Sequence, residues 1–253
     1  MNPTGNTILI TGGGSDIGRG LAKALHALGN QVVIAGRRKQ ALDETTAANP
    51  GMKSLQLDVE DPAAIRAFAA QLTASFPKLN VVINNAGIMR AEKLLAQQDD
   101  LADAEAIVAT NLLEPIRLTA ALLPHLRQQA SATILNVSSG LAFVPLVYTP
   151  TYCATKAAIH SYTQSLRYQL KDTAIEVLEL IPPYVQTDLM AGAEDPRAMP
   201  LDKILAEVME ILETQPTPPE ICVENVKRLR LAAENGHSEA VFNGMNAAMA
   251  DVH

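Results

Sequence analysis

A glycine-rich turn between an apolar run and a helical pattern limits the fold of this 253-residue chain more than any other feature. Residues 11–18 read Thr-Gly-Gly-Gly-Ser-Asp-Ile-Gly, and the run Thr-Ile-Leu-Ile ends at residue 10. Leu21, Leu25 and Leu28 follow at helical spacing, and Gly29 is suited to end that helix. A strand, turn and helix in this order leave backbone N–H groups free at the positive end of the helix dipole, which suits a pyrophosphate. The first unit of the fold should therefore be a phosphate-binding strand–turn–helix.

Segments of strand and helix character alternate along the rest of the chain. Apolar runs predict further strands at residues 31–35, 54–59, 81–83, 133–137, 175–181 and, as a short last one, 220–223. Six strand–helix alternations indicate an α/β fold with one doubly wound parallel sheet and helices on both faces. Ligands of such sheets bind beyond the carboxyl ends of the strands. Because no repeat or linker interrupts the pattern, residues 1–253 should form a single domain.

Several local signals set the expected helix boundaries. Asp61 and Pro62 are a good N-cap and first residue for the helix that follows the third strand. Residues 90–110 are rich in Glu, Asp and Ala and predict a helix with a solvated acidic face. Asn111 should begin a separate long helix to about Gln129, with a kink or short break at Pro124. Residues 188–215 should form a mobile substrate loop, which carries Gly, Pro and Met, and the helix after it.

The end of the second strand bears on the choice of dinucleotide. NAD-binding folds place an acid there, about 20 residues past the glycines, on the ribose 2′-hydroxyl. This chain has Gly36, Arg37 and Arg38 instead. Gly36 offers no carboxylate to repel a phosphate, and Arg37 can form charge-assisted bonds to one. The alternative is a solvated basic turn, but in an acidic chain we favour NADP(H) as the cofactor.

Composition excludes several classes of partner. The formal net charge is −7 and the sequence pI is about 5.2, which argues against a nucleic acid or an anionic membrane. No apolar run approaches the ~20 residues that span a bilayer, and no leader pattern is visible. The two cysteines form no Cys-x-x-Cys pair and suggest a reducing compartment, so we expect a cytoplasmic protein. The five histidines show no metal-ligand spacing, so we expect no metal site.

Residues 139–156 combine a hydroxyl, a phenol and an ammonium. A helix beginning near Pro150 would place Tyr152 and Lys156 one turn apart on one face, and Ser139 follows the apolar run at residues 133–137. A nearby ammonium favours the phenolate and should lower the pKa of Tyr152. Together the three groups can polarise a carbonyl and protonate the resulting alkoxide, but they cannot supply a hydride. The alternative is an ordinary surface pair, so the motif becomes informative only beside a nucleotide site.

These elements, over about residues 5–225, resemble the short-chain dehydrogenase/reductase (SDR) family, whose fold is Rossmann-like. The matching features are the 11–18 turn, Asp58, the Asn-Asn-Ala-Gly at residues 84–87, Asn111, Ser139, Tyr152, Lys156, Pro182 and residues 185–187. The amino-acid sequences of residues 137–146, 152–156 and 181–183 are most similar to those of a bacterial subgroup. Members of that subgroup are associated with D-alanine esterification of teichoic acids. Because that process contains no redox step, we do not take it as the function.

The resemblance implies a role for each matching residue. Tyr152 would be the proton donor in reduction and the acceptor in oxidation, and Lys156 would tune it and bind the nicotinamide ribose. Ser139 would hold the substrate oxygen, and Asn111 would order a water chain behind Lys156. The implied cofactor contacts are Gly12, Gly14, Ser15, Asp16, Ile17, Gly18, Arg37, Arg38, Asp58, Val59, Asn85, Ala86, Gly87, Tyr152, Lys156, Pro182, Val185 and Thr187.

The chain departs from the family pattern at two positions. Asp16 and Pro183 stand where the family normally has glycine. Pro183 should cost little, because the chain is already extended after Pro182. Asp16 adds a Cβ and a negative charge near the expected pyrophosphate, so the departure bears on cofactor affinity.

An active NADP(H)-dependent oxidoreductase acting on a small carbonyl or alcohol is the leading functional hypothesis. A non-catalytic NADP-binding sensor or scaffold is the first alternative, and Asp16 motivates it. An epimerase or dehydratase is the second, although no added sugar-nucleotide domain is evident.

Substrate class and assembly follow from apolar patterns. Residues expected around the carbonyl site are nearly all apolar: Ile88, Met89, residues 141–147, Tyr184, Leu189 and Met190. Such a lining favours a neutral ketone or aldehyde, and Arg90 is the one nearby cation for a charged one. The helices from Asn111 and Pro150 carry apolar residues on more than one face. Since the family pairs these two helices across a two-fold axis, we expect a homodimer or homotetramer.

Overall fold

Seven parallel strands form one sheet in the order β3-β2-β1-β4-β5-β6-β7. The computed structural model describes residues 1–58, 61–94, 100–190 and 195–250. The strands are β1 (Thr7–Thr11), β2 (Gln31–Gly36), β3 (Lys53–Gln56), β4 (Leu79–Asn84), β5 (Ala132–Val137), β6 (Ile175–Ile181) and β7 (Glu220–Cys222). The predicted doubly wound α/β fold is therefore confirmed, including its short last strand.

The described helices lie on both faces of the sheet. They are α1 (Asp16–Ala27), α2 (Lys39–Ala47), α3 (Pro62–Ser75), α4 (Ala102–Val108), α5 (Glu114–Leu126), α6 (Pro150–Gln169), α7 (Leu201–Glu213), α8 (Lys227–Arg230) and α9 (Ser238–Ala250). Successive residues of a strand point to opposite faces of the sheet and pack into two separate apolar layers, as the two-residue period of a strand requires. Ile8 and Ile10 pack with α1 and α7, whereas Leu9 packs with α3, α5 and α6.

The strand order creates a crevice at the centre of the sheet. The chain runs outward from β1 through β2 to β3, returns to pair β4 with the other side of β1, and continues to β7. Because of this reversal, α1 after β1 and α5 after β4 lie on opposite faces of the sheet. Ligands of doubly wound sheets bind at such a switch point, at the carboxyl ends of the strands.

Two of the local predictions are correct in detail. Gly29 follows α1 with φ +83°, the left-handed conformation that glycine adopts without steric cost. Asp61 caps α3, because its carboxylate accepts a hydrogen bond of 2.7 Å from the N–H of Ala63. Both signals act within a few residues, which is why the sequence alone reveals them.

The prediction that Asn111 begins a helix is wrong. Asn111 lies inside a π-helical turn, Ala109–Leu113, that joins α4 to α5 without a break. The turn closes with the N–H of Glu114 bonded to the carbonyl of Ala109, five residues back. No break occurs at Pro124, through which α5 continues for two more residues. The interruption is instead a widened turn, a feature often found at functional sites.

Three further boundaries differ from the predictions. The third strand ends at Gln56, before Asp58, and of the predicted acidic helix the described residues form α4, while residues 95–99 lie outside the described ranges. Within the expected loop, Asp188–Met190 forms a 3-10 turn and Met199 bridges to Val185. Residues 191–194 of that loop, and Val59, lie outside the described residues.

Length and composition alone would let the 25-residue helix Ala102–Leu126 cross a membrane. Buried helices of globular cores pass the same test, and this one packs against α3, α6 and two strands.

Candidate active site

A cleft of about 530 Å³ lies at the carboxyl edge of the sheet and holds nearly all of the residues that the sequence singled out. The predicted residues that line it are Gly12, Gly14, Ser15, Asp16, Ile17, Gly18, Arg37, Arg38, Asn85, Ala86, Gly87, Ser139, Tyr152, Lys156, Pro182, Val185 and Thr187. Its volume falls within the range of small-molecule sites. Asp58 is exposed and does not line the cleft, and Asn111 lies buried behind its wall.

The glycine turn packs tightly against the end of β4. The Thr11 hydroxyl accepts hydrogen bonds from the N–H groups of Asn85 (3.1 Å) and Ala86 (3.0 Å). A Cβ on Gly18 would lie 2.4 Å from the carbonyl oxygen of Gly12, which no side chain could tolerate. Gly12 itself has φ +67°. The glycines therefore bring the loops after β1 and β4 together at the centre of the sheet.

Asp16 takes the left-handed conformation that glycine would occupy without strain. Its φ is +48°, the only positive φ at a described residue other than glycine. The carboxylate accepts a hydrogen bond of 3.3 Å from the backbone N–H of Asp188, in the segment after β6. Asp16 therefore connects the first turn of α1 to the opposite side of the cleft.

The amino end of α1 has the chemistry of a phosphate site. No side chain caps its first N–H groups, and the hydroxyl of Ser15 accepts a bond of 2.9 Å from Arg38 instead. Arg37 and Arg38 line the same end of the cleft. A Cβ on Gly36 would meet only the Leu42 side chain, at 3.9 Å, so space remains open beside the arginines. Free amides, a helix dipole and two guanidinium groups suit a phosphorylated ligand such as a dinucleotide.

Ser139 lies just beyond β5, where the extended backbone turns into the short 3-10 segment Gly140–Ala142. Its hydroxyl oxygen accepts a hydrogen bond of 3.1 Å from the N–H of Leu141, which fixes the side-chain rotamer. The preceding Ser138 donates a bond of 2.6 Å to the buried carboxylate of Glu179, which also contacts His160. These bonds hold the strand end that carries Ser139.

A carboxylate from outside α6 fixes the start of that helix. Glu92 accepts hydrogen bonds from the N–H of Thr151 (2.9 Å) and from its hydroxyl (2.8 Å). The cap stands one residue before Tyr152. Lys156 follows one turn later, and its Nζ donates to the carbonyl of Val137 at 2.8 Å. Tyr152 and Lys156 are thus held side by side, with the ammonium 5.6 Å from the centre of the phenol ring.

Burial dominates the protonation of this pair. Burial raises the pKa of Tyr152 to about 12, and a hydrogen bond with Ser139 acts in the opposite direction. Burial also lowers the pKa of Lys156 to about 8, while the carboxylates of Glu114 and Glu179 act to raise it. The expected lowering of the tyrosine pKa is therefore wrong, because desolvation of the phenolate outweighs the hydrogen bond with Ser139. At neutral pH Tyr152 is a protonated donor.

Asn111 acts on the loop after β4 rather than on the cleft itself. Its side-chain oxygen accepts from the N–H of Ile88, and its amide donates to the carbonyl of the same residue, both at 2.9 Å. The π-helical turn presents the side chain to Ile88 at this point. Asn111 thereby fixes the segment that leads from Gly87 into the apolar part of the cleft.

The apolar part of the cleft includes two residues that the sequence did not reveal. Leu229 from α8 and Met245 from α9 line it together with six predicted residues: Ile88, Met89, Leu141, Leu146, Tyr184 and Leu189. Of the predicted 141–147 segment, Val144 is buried in a separate cluster and Val147 is 48% exposed. Arg90 also lines the cleft and donates to the carbonyl of Met89 at 2.9 Å.

A second cluster beside the cleft has the composition of a metal site. Ligand atoms of His160, Glu179 and Glu220 lie within 4.8 Å of one another. Each carboxylate already has a partner, because Glu179 binds Ser138 and His160 while Glu220 binds Arg230 at 2.6 Å. These bonds identify the cluster as a support for β6 and the end of β5.

Comparisons with known proteins agree with this geometry. The family model described as short chain dehydrogenase matches residues 6–198. Over 249 residues the chain is 39% identical to the uncharacterized oxidoreductase DltE of Bacillus subtilis (strain 168), covering 97% of this chain and 98% of DltE.

Solved structures show the same fold. A short-chain dehydrogenase/reductase from Burkholderia phymatum in complex with NAD superposes with a TM-score of 0.81 at 21% identity, covering 94% of this chain and 96% of that one. A short-chain dehydrogenase from Sphingobium yanoikuyae in complex with NADPH gives 0.78 at 24% identity, covering 94% and 95%. By the family match and the DltE relationship, this chain belongs to the short-chain dehydrogenase/reductase family of oxidoreductases.

Proposed function

We propose that this chain is an NADP(H)-dependent oxidoreductase that interconverts a neutral, hydrophobic ketone or aldehyde and its alcohol. The observation that carries the proposal is the convergence of Ser139, Tyr152 and Lys156 in one cleft with the uncapped amino end of α1. A proton donor beside a phosphate-binding helix end suits hydride chemistry with a dinucleotide. A protein that only sensed the cofactor would have no need for the proton donor.

The residues of the glycine turn and Arg37 would hold NADP(H). The amides of α1 suit the pyrophosphate, and the guanidinium of Arg37 at the end of β2 suits the 2′-phosphate. Asn85, Ala86, Gly87 and Lys156 would face the ribose on the nicotinamide side. When bound, the reduced cofactor supplies the hydride that the protein cannot provide.

Tyr152 would transfer the proton in the same step. In reduction its hydroxyl donates to the oxygen of the substrate as that oxygen becomes an alkoxide, and Ser139 orients the oxygen. A pKa raised to about 12 keeps this donor protonated at neutral pH. The ammonium of Lys156 stabilises the phenolate that remains after transfer.

Tyr152→Phe tests the catalytic assignment. The substitution keeps the ring and removes only the hydroxyl, so turnover should fall at least about 100-fold, as expected for loss of a general acid. NADPH affinity, measured by fluorescence titration, should stay within about twofold of the parent because the hydroxyl serves the proton step. Activity near the parental level would mean that another group donates the proton. If the unmodified protein binds NADPH but reduces no member of a panel of ketones, aldehydes and sugars, the sensor hypothesis replaces this one.

Arg37→Ala tests the cofactor choice. The unmodified protein should bind NADPH more tightly than NADH. The affinity of the variant for NADPH should fall about tenfold, as expected for loss of one charged hydrogen bond, while its affinity for NADH should change little. Lys39→Ala is the matched control, since Lys39 is an exposed cation outside the cleft that pairs with Asp43. Equal affinities for the two dinucleotides in the unmodified protein would exclude the NADP preference.

A matched pair of ketones tests the substrate class. Propiophenone and benzoylformate share a phenyl ketone and differ mainly in the carboxylate, so kcat/KM should favour propiophenone in an apolar cleft. A clear preference for benzoylformate that disappears in Arg90→Ala would reverse this conclusion. Arg90 would then be the residue that determines specificity.

A further inference from the structure

A buried carboxyl group stands behind the lysine of the active site. Glu114 is the first residue of α5, three positions after Asn111, and its side chain is fully buried. Among the residues that the structure describes, neither of its carboxyl oxygens has a hydrogen-bond partner. Such groups are rare in folded proteins, because desolvation of a carboxyl without a partner is costly. Glu114 therefore requires an explanation other than packing.

A second unpartnered group lies one turn earlier. The buried hydroxyl of Thr110 has no hydrogen-bond partner within the described ranges, and Thr110 lines the cleft. Both groups belong to the widened π-helical turn, Thr110 within it and Glu114 at the residue that closes it. The two groups therefore form a polar patch that runs from the cleft wall toward the interior. A buried water needs two to four polar partners, and Thr110, Glu114 and Lys156 together supply that number.

The charge on Lys156 acts directly on Glu114. Burial raises the pKa of Glu114 to about 8, and Lys156 acts in the opposite direction. Burial also lowers the pKa of Lys156, to about 8, so the proton affinities of the two groups lie closer together than they do in water. The other titratable groups around Lys156 are Tyr152 and Cys153 on α6 and Glu179 on β6 with its partner His160.

We propose that Glu114 is a positioning residue that holds the proton at the buried end of the relay behind Lys156, with Thr110 joining it to the cleft. The inference rests on the proposed oxidoreductase function. In reduction the O–H proton of Tyr152 passes to the substrate alkoxide, and an N–H proton of Lys156 returns to the phenolate. The O–H proton of Glu114 then returns to the lysine amine, and the carboxylate takes one proton from solvent. One solvent proton is thus consumed for each hydride transferred.

Glu114→Gln tests the proposal, because it keeps the shape of the side chain and removes the exchangeable carboxyl proton. KM and NADPH affinity should stay within about twofold of the parent, while kcat for propiophenone at neutral pH should fall about tenfold. The alkaline limb of the kcat profile should move to lower pH, since Lys156 loses the anion that raises its pKa. Glu105→Gln, an exposed acid on α4, is the matched control and should leave the profile unchanged.

Infrared spectroscopy supplies a readout that does not depend on turnover. The unmodified protein should show the stretching band of a protonated buried carboxyl at neutral pH, and alkaline titration should remove it. The band should be missing from Glu114→Gln, or from Glu114→Met if the glutamine variant fails to fold. A missing band in the unmodified protein, or a pH profile that is the same in parent and variant, would overturn the inference. Absence of turnover in the unmodified protein would instead count against the proposed function, and the band would still decide whether Glu114 holds a proton.

Discussion

Among single residues, the buried acid Glu114 ties the stability of the fold to pH. Its pKa rises from 4.5 to about 8 on folding, so between these values the native state holds a proton that the unfolded state has lost. The free energy of unfolding therefore falls with rising pH across this window, by at most about 1.4 kcal/mol per unit. Lys156 has the opposite effect between about pH 8 and pH 10.5: because its pKa is lowered on folding, it makes the free energy of unfolding rise with pH in that window.

Glu114→Gln should remove the first of these slopes. Urea unfolding at a series of pH values should show that the stability of the variant relative to the parent increases from pH 5 to 8. The reason is that glutamine has no proton to lose in that range. Parallel stability curves for the two proteins would show that Glu114 ionises in the fold as it does in the unfolded chain.

A second prediction for a single residue concerns Asp16. Replacing it with glycine removes the strain of a left-handed backbone conformation and a negative charge beside the proposed phosphate site. Asp16→Gly should therefore bind NADPH more tightly at low salt, and the gain should shrink as ionic strength rises. Calorimetric titration at two salt concentrations measures both effects. An affinity that does not change at low salt would mean that the carboxylate remains committed to Asp188 and away from the cofactor.

At the scale of elements, the cap on α6 governs the position of Tyr152. Glu92 binds the first turn of that helix from a different segment. Glu92→Ala should lower the free energy of unfolding by about 1 kcal/mol, as for loss of other N-caps, and should reduce kcat more than it weakens NADPH binding. Glu92→Gln, which retains an oxygen acceptor, is the control and should keep most of the stability and most of kcat. A loss of stability with kcat unchanged would show that the cap does not position Tyr152.

Local signals in the sequence predicted the elements well, and contacts between distant elements explain the failures. The glycine turn and the Asp61 cap depend on neighbours a few residues away. In the π-helical turn, Asn111 bonds to Ile88, 23 positions earlier, and the helical pattern of the sequence does not reveal such a distant contact. Leu229 and Met245 reach the cleft only through packing of α8 and α9. Asn246 helps to hold α9 there by accepting from the N–H of Val147 at 2.8 Å.

For the whole molecule, we expect a homodimer or a homotetramer. Leu112 and Ile116, one turn apart on the helix that runs from the π-helical turn into α5, are only partly buried and leave a short apolar stripe for a second copy. Light scattering at micromolar concentration should give at least twice the monomer mass of 27.0 kDa. Ile116→Glu should lower that mass, whereas Leu101→Glu, at an exposed leucine outside the stripe, should not. A monomer in the unmodified protein would contradict the prediction.

The hydrogen bond between Asp16 and Asp188 has a consequence for the sequence of binding events. It joins positions 172 residues apart, one at the start of α1 and one in the segment after β6, and both line the cleft. If a dinucleotide seats against the turn, as we propose, it would therefore also position the segment that carries Asp188 on the other side of the cleft. Addition should then be compulsory, with the nucleotide entering first and leaving last. In steady-state product inhibition, the oxidised nucleotide should compete with NADPH, while the alcohol product should not.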